Sequence, residues 1–340
     1  MTAPPLAISN FGLVTSVGLS APSSCAAVRA KIANPTETRF ACSDGDWIIG
    51  HAVELEDPWN GRAKLAGMAV LAIQEALDAI PVSQWRDIPL LLCVAEQERP
   101  GRTAGIDDAL ADDIRRELGA QFGAELVAKG RVSVPVALAR ARNLIYHHGH
   151  ERVLIAATDS YLSWPTLDHF ESNDRLLTAA NADGFMPGEA AGALLVTRAT
   201  TASALLCTGL GFSTETAVIG SGEPLRGDGL TKAIKAAVDD AGGSLANVDF
   251  RIADLSGEQY YFKEATLALS RTLRDRKERF DLWHPAECTG EIGATAGVSM
   301  LAVVDAACRK GYADGPNVLA QFANDRGERA AMTLRHGAAV

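Results

Sequence analysis

The chain has 340 residues, enough for one large α/β domain or for two halves around a shared core. Hydrophobic residues are 47% and charged residues 22%, a globular balance, and many Ala and Gly with few aromatics favour helices packed closely on a sheet over a disulfide or all-β framework. A formal net charge of -10 with no basic block argues against nucleic acid as a partner, because an acidic chain repels phosphate backbones.

In chain order, residues 1–5 carry no positive region and no apolar core of leader length. Residues 6–10 predict a short strand, residues 12–18 a turn-rich segment and residues 24–32 a helix. Residues 47–53 suggest a strand. Residues 62–80 give the clearest amphipathic helix, with Leu65, Met68, Ala69, Ala72, Ile73, Ala76, Leu77 and Ile80 at three- and four-residue steps. The continuous apolar run at 88–94 predicts a strand covered on both faces, and 153–158 (VLIAAT) another. Between them, 106–122 has helical spacing with many charges, and a helix starting near Pro135 runs to Tyr146. His147, His148 and His150 around Gly149 read as a capped helix end rather than a metal cluster.

Strands are expected at 194–196 and 204–209, then a helix at 229–241, a strand at 248–255, a helix at 295–310 and a strand at 317–322. The helix–strand order recurs, which suggests two related units, residues 1–200 and 201–340, sharing one core. The longest apolar stretches, such as 190–196, fall well short of a membrane span. Cys25, Cys42, Cys93, Cys207, Cys288 and Cys308 are too scattered for a CxxC motif and read as buried thiols of a cytoplasmic protein.

Four segments together resemble the β-ketoacyl synthases of the thiolase superfamily, in order and spacing. They are FGLVTSVG at 11–18, Gly149 with the VLIAA strand at 153–157, DGFMPGEAAG at 183–192 and TGEIGATAG at 289–297. The resemblance implies a thiolase-like five-layer α/β/α/β/α sandwich. In it Asp183, Gly184, Gly188, Glu189, Gly192, Gly293 and Gly297 form a structural signature, the glycines letting backbone approach backbone.

The family's chemistry needs a thiolate at the N-terminus of a buried helix and two histidines. Here the thiolate position falls at Val132 or Ser133, the first histidine at Asp254 or Leu255, and the second at Glu291. Neither Val132 nor Ser133 forms a thiolate, and a carboxylate repels an enolate where an imidazole would donate a hydrogen bond. Ser133 is expected to cap a helix, with a hydroxyl nucleophile as the lesser alternative. The glycine-rich acyl-site loop of the family is replaced by Ala323-Asn324-Asp325-Arg326-Gly327, so that pocket is expected to be blocked or rebuilt. The stretch between the 88–94 strand and Pro135 is also shorter than in full-length ketosynthases.

Two other groupings are weak. His284, Glu287, Cys288 and Glu291 share one loop, and Gly220-Ser221-Gly222 is too short for a phosphate loop. The expectation is a non-catalytic protein without cofactor or metal that binds other proteins. It is similar to the degenerate ketosynthase-like proteins of bacterial type VI secretion gene clusters, which implies an adaptor for a secretion effector or its chaperone. The alternative is an acyl-handling enzyme or a chain-length-factor-like subunit of a ketosynthase. A homodimer is expected through the VLIAAT strand as a sheet edge.

Overall fold

The structure, a computed structural model, describes residues 3–56, 60–200 and 204–337; Met1 and Thr2, part of the N-terminal stretch read above, lie outside the described residues. The first part of the chain runs β1 (Leu6–Val14), α1 (Ala21–Arg29), β2 (Thr36–Ala41), β3 (Trp47–Gly50), α2 (Gly61–Ala76), α3 (Val82–Trp85) and β4 (Leu90–Val94). It continues through α4 (Ile106–Leu118), β5 (Ala124–Ala128), α5 (Ser133–Tyr146), β6 (Arg152–Ser160), α6 (Trp164–Glu171) and β7 (Glu189–Arg198). The second part runs β8 (Leu205–Thr214), α7 (Asp228–Asp240), β9 (Phe250–Ala253), α8 (Gln259–Thr272) and β10 (Leu282–Trp283). It ends with α9 (Ala286–Thr289), α10 (Ala296–Arg309), β11 (Asn317–Ala323) and β12 (Glu328–His336).

Ten strands form one sheet in the order β10-β9-β11-β12-β8-β1-β7-β6-β4-β5. That order contains a repeat. Within β1, β4, β5, β6 and β7, and equally within β8, β9, β10, β11 and β12, the strands lie as third, second, fourth, fifth, first. In both sets the first strand is antiparallel to the fifth, the fifth antiparallel to the fourth, and the fourth, second and third mutually parallel. The half-sheets join where Leu6, Ala7 and Ile8 of β1 face Cys207, Leu206 and Leu205 of β8.

Side-chain alternation sorts the core into layers. Leu91, Cys93, Val153 and Ile155 on one face of the first half-sheet, and Phe250, Ile252, Val318 and Ala320 on one face of the second, close over α5 and α10. The opposite face of the first half-sheet, with Leu90, Leu92, Leu154 and Ala156, packs on α2 and α4. The opposite face of the second, with Leu319 and Ala331, packs on α7 and α8. Both faces of β4 and of the Val153–Ala157 part of β6 are therefore apolar, which is why LLLCV and VLIAA are uninterrupted hydrophobic runs. Helix α2 carries buried residues around most of its circumference, including Ala66 and Val70, because α4 covers its outer side with Ile106, Leu110 and Ile114.

Close approach in the middle layer requires missing side chains. A Cβ on Gly297 of α10 would stand 2.5 Å from Val134 Cβ of α5, and one on Gly192 of β7 would stand 2.7 Å from Val298 Cγ1. Helix α5 starts at Ser133, so Pro135 sits inside its first turn, and it ends with Gly149 in the left-handed region (φ +77) and His150 N–H donating to Leu144 O.

Some expected elements differ. The VLIAAT strand is not an edge: β6 pairs with β7 on one side and β4 on the other, and β5 lies beyond β4 at the end of the sheet. Strands β2, β5, β10 and β12 and helices α6 and α8 were not foreseen. They are short, or mix charges with small residues, and so carry no clear two- or 3.6-residue period.

Candidate functional site: an arginine–carboxylate lattice between the two half-sheets

Beyond Ala128, Gly130 adopts a positive φ (+52) that starts the short turn Gly130–Val132 leading into α5. Val132 thus stands at the N-terminus of a helix enclosed between both half-sheets, 2% exposed and part of the central core. Ser133 follows, fully buried, its hydroxyl 2.9 Å from Val127 O and 3.3 Å from Val94 O while it accepts from Lys129 N–H at 3.0 Å. It does not cap α5, because its partners lie on the preceding turn and strands. It ties the ends of β4 and β5 together, and these backbone partners engage the hydroxyl.

After β9 the chain separates the two residues considered for the first histidine. Leu255 packs into the outer core against α7 and α8. Asp254 turns to the centre, where its Oδ2 accepts from Ala323 N–H at 2.9 Å. Burial pushes the Asp254 carboxyl up to about 7, against the pull of Arg131.

Glu291, the residue expected at the other histidine position, lies on a turn flanked by Gly290 and Gly293, both at positive φ. Its Oε1 accepts from Gly293 N–H at 2.8 Å, and its Oε2 accepts from the Ser256 hydroxyl at 2.8 Å and lies 3.4 Å from Arg131 Nη1. Asp254 and Glu291 border a cavity of about 10 Å³, together with Thr289, Ser299 and Met300. That is room for roughly one water molecule and none for an acyl thioester.

Ion pairs fill the remaining space. Arg131, its side chain 4% exposed, bonds Asp325 at 2.9 Å and stacks on the Tyr261 ring with Cζ 4.4 Å from the centroid. The Tyr261 hydroxyl donates to Asp325. Arg175 reaches Asp325 at 2.7 Å and grips Glu258 with two bonds of 2.5 and 2.8 Å. Burial opposes ionisation of Asp325, but Arg131 and Arg175 prevail and hold its carboxyl well below the usual range. Beside this lattice, Arg99 forms a two-bond pair with Asp159, whose Oδ2 also accepts from Ala294 N–H at 2.9 Å. A Cβ on Gly293 would stand 2.0 Å from that carboxylate oxygen.

Sequence reasoning missed Arg99, Arg131, Asp159, Arg175, Glu258 and Tyr261. The available signals were Asp325, in the segment where the family has bare glycines, and the guanidinium of Arg131 immediately before Val132. Among the described residues, the cavity bordered by Asp254 and Glu291 is lined by no thiol and no imidazole, and the polar groups around it are carboxylates held by guanidinium groups.

The remaining signature residues are structural in their contacts. Asp183 accepts from Gln259 N–H at the start of α8 at 2.7 Å. Glu189, 3% exposed, accepts from Val53 N–H and the Ser160 hydroxyl, both at 2.9 Å, and pairs with Lys64. The two carboxylates share no partner among these contacts. Cβ atoms on Gly184 and Gly188 would meet backbone atoms of Leu176 and Thr289 at 2.3 and 2.4 Å. His284 lies edge-on to Phe262, whereas the Cys288 thiol is buried and pushed up to about 11, mainly by that burial. Among the described residues, no hydrogen bond joins His284 to Cys288 and no group of three or more His, Cys, Asp or Glu is placed to hold a metal.

Comparison with models of known families finds no match, and neither does comparison with curated proteins. Solved structures do match. The ishigamide ketosynthase/chain length factor superposes with a TM-score of 0.79 at 18% identity, over 98% of this chain and 99% of that one. The ketosynthase ApeO in complex with its chain length factor ApeC from Xenorhabdus doucetiae gives 0.78 at 14%, covering 98% of each chain. An oxazolomycin ketosynthase domain from Streptomyces albus gives 0.80 at 13%, over 98% of this chain and 75% of that one. With its two 3-2-4-5-1 half-sheets, the chain has the thiolase-like fold of the ketosynthases.

Proposed function

We propose that this chain is a non-condensing partner of an active ketosynthase, a chain-length-factor-like subunit that works through protein contact. The observation that carries the reading is the filled centre. The resemblance expects a thiolate at Val132 or Ser133 and imidazoles at Asp254 or Leu255 and at Glu291; Arg131 pairs there with Glu291 and Asp325, and the cavity bordered by Asp254 and Glu291 measures about 10 Å³. Both five-strand half-sheets are present around this filled centre, which suits a protein valued for its surface. Two of the structural neighbours are ketosynthase–chain-length-factor pairs.

Strand β5 is the candidate contact, because it ends the sheet and its outer backbone groups can pair with another chain. A ketosynthase across that edge fits this reading better than a second copy. Residues 1–200 and 201–340 would then act as one unit, with β5 in the first. The secretion-adaptor reading rests on motif resemblance alone, and no contact described above favours it. An acyltransferase using Ser133 is disfavoured by the backbone bonds that hold its hydroxyl.

Co-expression with a ketosynthase encoded in the same genome tests the proposal. A one-to-one heterodimer by native mass spectrometry is the expected result. Recovery of the chain only alone or as a homodimer, with the ketosynthase fully active without it, would overturn the reading. Stable capture of a secretion effector or chaperone instead would support the adaptor.

A further inference from the structure

We propose that a second cavity, between the end of α1, β10 and Tyr312, binds a planar aromatic ligand carrying an anionic group. The cavity measures about 510 Å³, within the range of small-molecule sites, and its walls include Val28, Val303 and Pro285. It is distinct from the sealed centre, from which the short helix α9 separates it.

Its aromatic lining is preorganised. Trp283 packs on Phe250 with centroids 4.4 Å apart, which fixes the indole from behind. The Tyr312 ring lies nearly parallel to the indole, 18° between planes and 6.4 Å between centroids. Trp283 and Tyr312 are only partly buried and line the cavity, so apolar ring surface remains available to a flat guest.

The positive charge comes from Arg29 at the end of α1 and Lys31 just after it, in a lining that also holds the carboxylates of Asp281 and Glu287. Arg29 lies with Cζ 4.2 Å from the Tyr312 centroid, and among the described residues no carboxylate pairs with it. The guanidinium is stacked on the ring that would hold the ligand, so its outward N–H groups are aimed by that stacking, unlike those of a freely solvated cation at a helix end. Next to it, Lys31 takes a left-handed backbone (φ +54) at the close of the helix, where glycine is the unstrained choice. The chain accepts that strain and gains an ammonium at the cavity rim, which Glu287 holds at 3.4 Å. An aryl carboxylate and a nucleoside monophosphate both supply a ring with an anionic tail.

Calorimetric titration of the whole chain with adenosine monophosphate and indole-3-acetate, beside the neutral controls adenosine and indole, tests the inference. The expected result is saturable binding of one anion at about 100 µM or tighter, with its neutral counterpart about tenfold weaker. Which anion binds identifies the source. Arg29→Gln, an exposed change that leaves the core intact, should abolish the preference for the anion, and Tyr312→Leu should weaken both ligands. No saturation by either anion at about 5 mM on folded protein, or an Arg29→Gln variant that keeps the full preference, overturns the proposal.

Discussion

Arg131 and Glu291 face each other across the middle of the molecule, 3.4 Å apart and each with a side chain 4% exposed. One comes from the turn before α5 and the other from the turn before α10, so this pair fastens the first half of the chain to the second. Arg131–Asp325 and Arg175–Glu258 do the same. Removing Arg131 leaves the buried Glu291 carboxylate without its cation, while Asp325, 34% exposed, keeps Arg175. Arg131→Ala should therefore destabilise the fold by about 3–5 kcal/mol, measured by urea unfolding at neutral pH. A loss below about 1 kcal/mol would mean that the lattice is solvated.

Asp254 gives the centre a distinct pH signature. The folded carboxyl holds its proton to about 7, whereas an unfolded aspartate releases it near 3.9. Between those values the native state binds more protons, so this residue's contribution to stability falls as pH rises from about 4 to about 7 and then levels off. Asp254→Asn, which can still accept from Ala323 N–H, should remove that part of the slope and gain most over the parent at pH 8. The measurement is the difference between parent and variant unfolding free energies at pH 5 and pH 8. Taking the difference cancels the contributions of the other buried acids.

The contact between α5 and α10 admits no added atom without adjustment. Gly297→Ala should cost about 1–3 kcal/mol, because its new Cβ meets Val134 Cβ at 2.5 Å. Adding Val134→Ala should recover part of the loss, a coupling that a double-mutant cycle reads directly.

Adding a thiol at the start of α5 should not confer acyl-transfer chemistry. Val132→Cys would place a thiol at the helix N-terminus, yet the cavity beside Asp254 and Glu291 stays near 10 Å³. Incubation with acyl-CoA followed by intact-protein mass measurement should show no acyl adduct. An adduct on the introduced thiol would show that the centre opens far enough to admit a thioester.

The sequence made parts of this plain and hid others for physical reasons. Strands enclosed on both faces are apolar over the enclosed stretch, all of β4 and Val153–Ala157 of β6, so these runs are visible without an alignment. Strand β5 reads AELVA because one side of it meets no neighbour, and a half-exposed five-residue strand has too little pattern to detect. The 3-2-4-5-1 repeat lies in hydrogen-bonding order, which the helix–strand alternation suggested and could not specify. Counting along motifs pointed to Val132 or Ser133, Asp254 or Leu255, and Glu291. It could not place their neighbours, since Arg131 and Asp325 are 194 positions apart and meet only through the fold. The mistake over Ser133 has a similar origin: a serine at the start of a helix signals a cap, and only the approach of Val94 and Val127 gives its hydroxyl other work.

The seam at Leu6–Ile8 has a consequence for how the protein is made. Strand β1 is synthesised well before its flanking strands, β7 and β8, which end at Arg198 and Thr214. Until both have been synthesised, an apolar ribbon in the nascent chain has neither edge protected, and long-range pairing of this kind closes slowly. The protein should therefore depend on chaperones during synthesis far more than its finished stability would suggest, and substitutions in β1 should lower yield before they lower melting temperature.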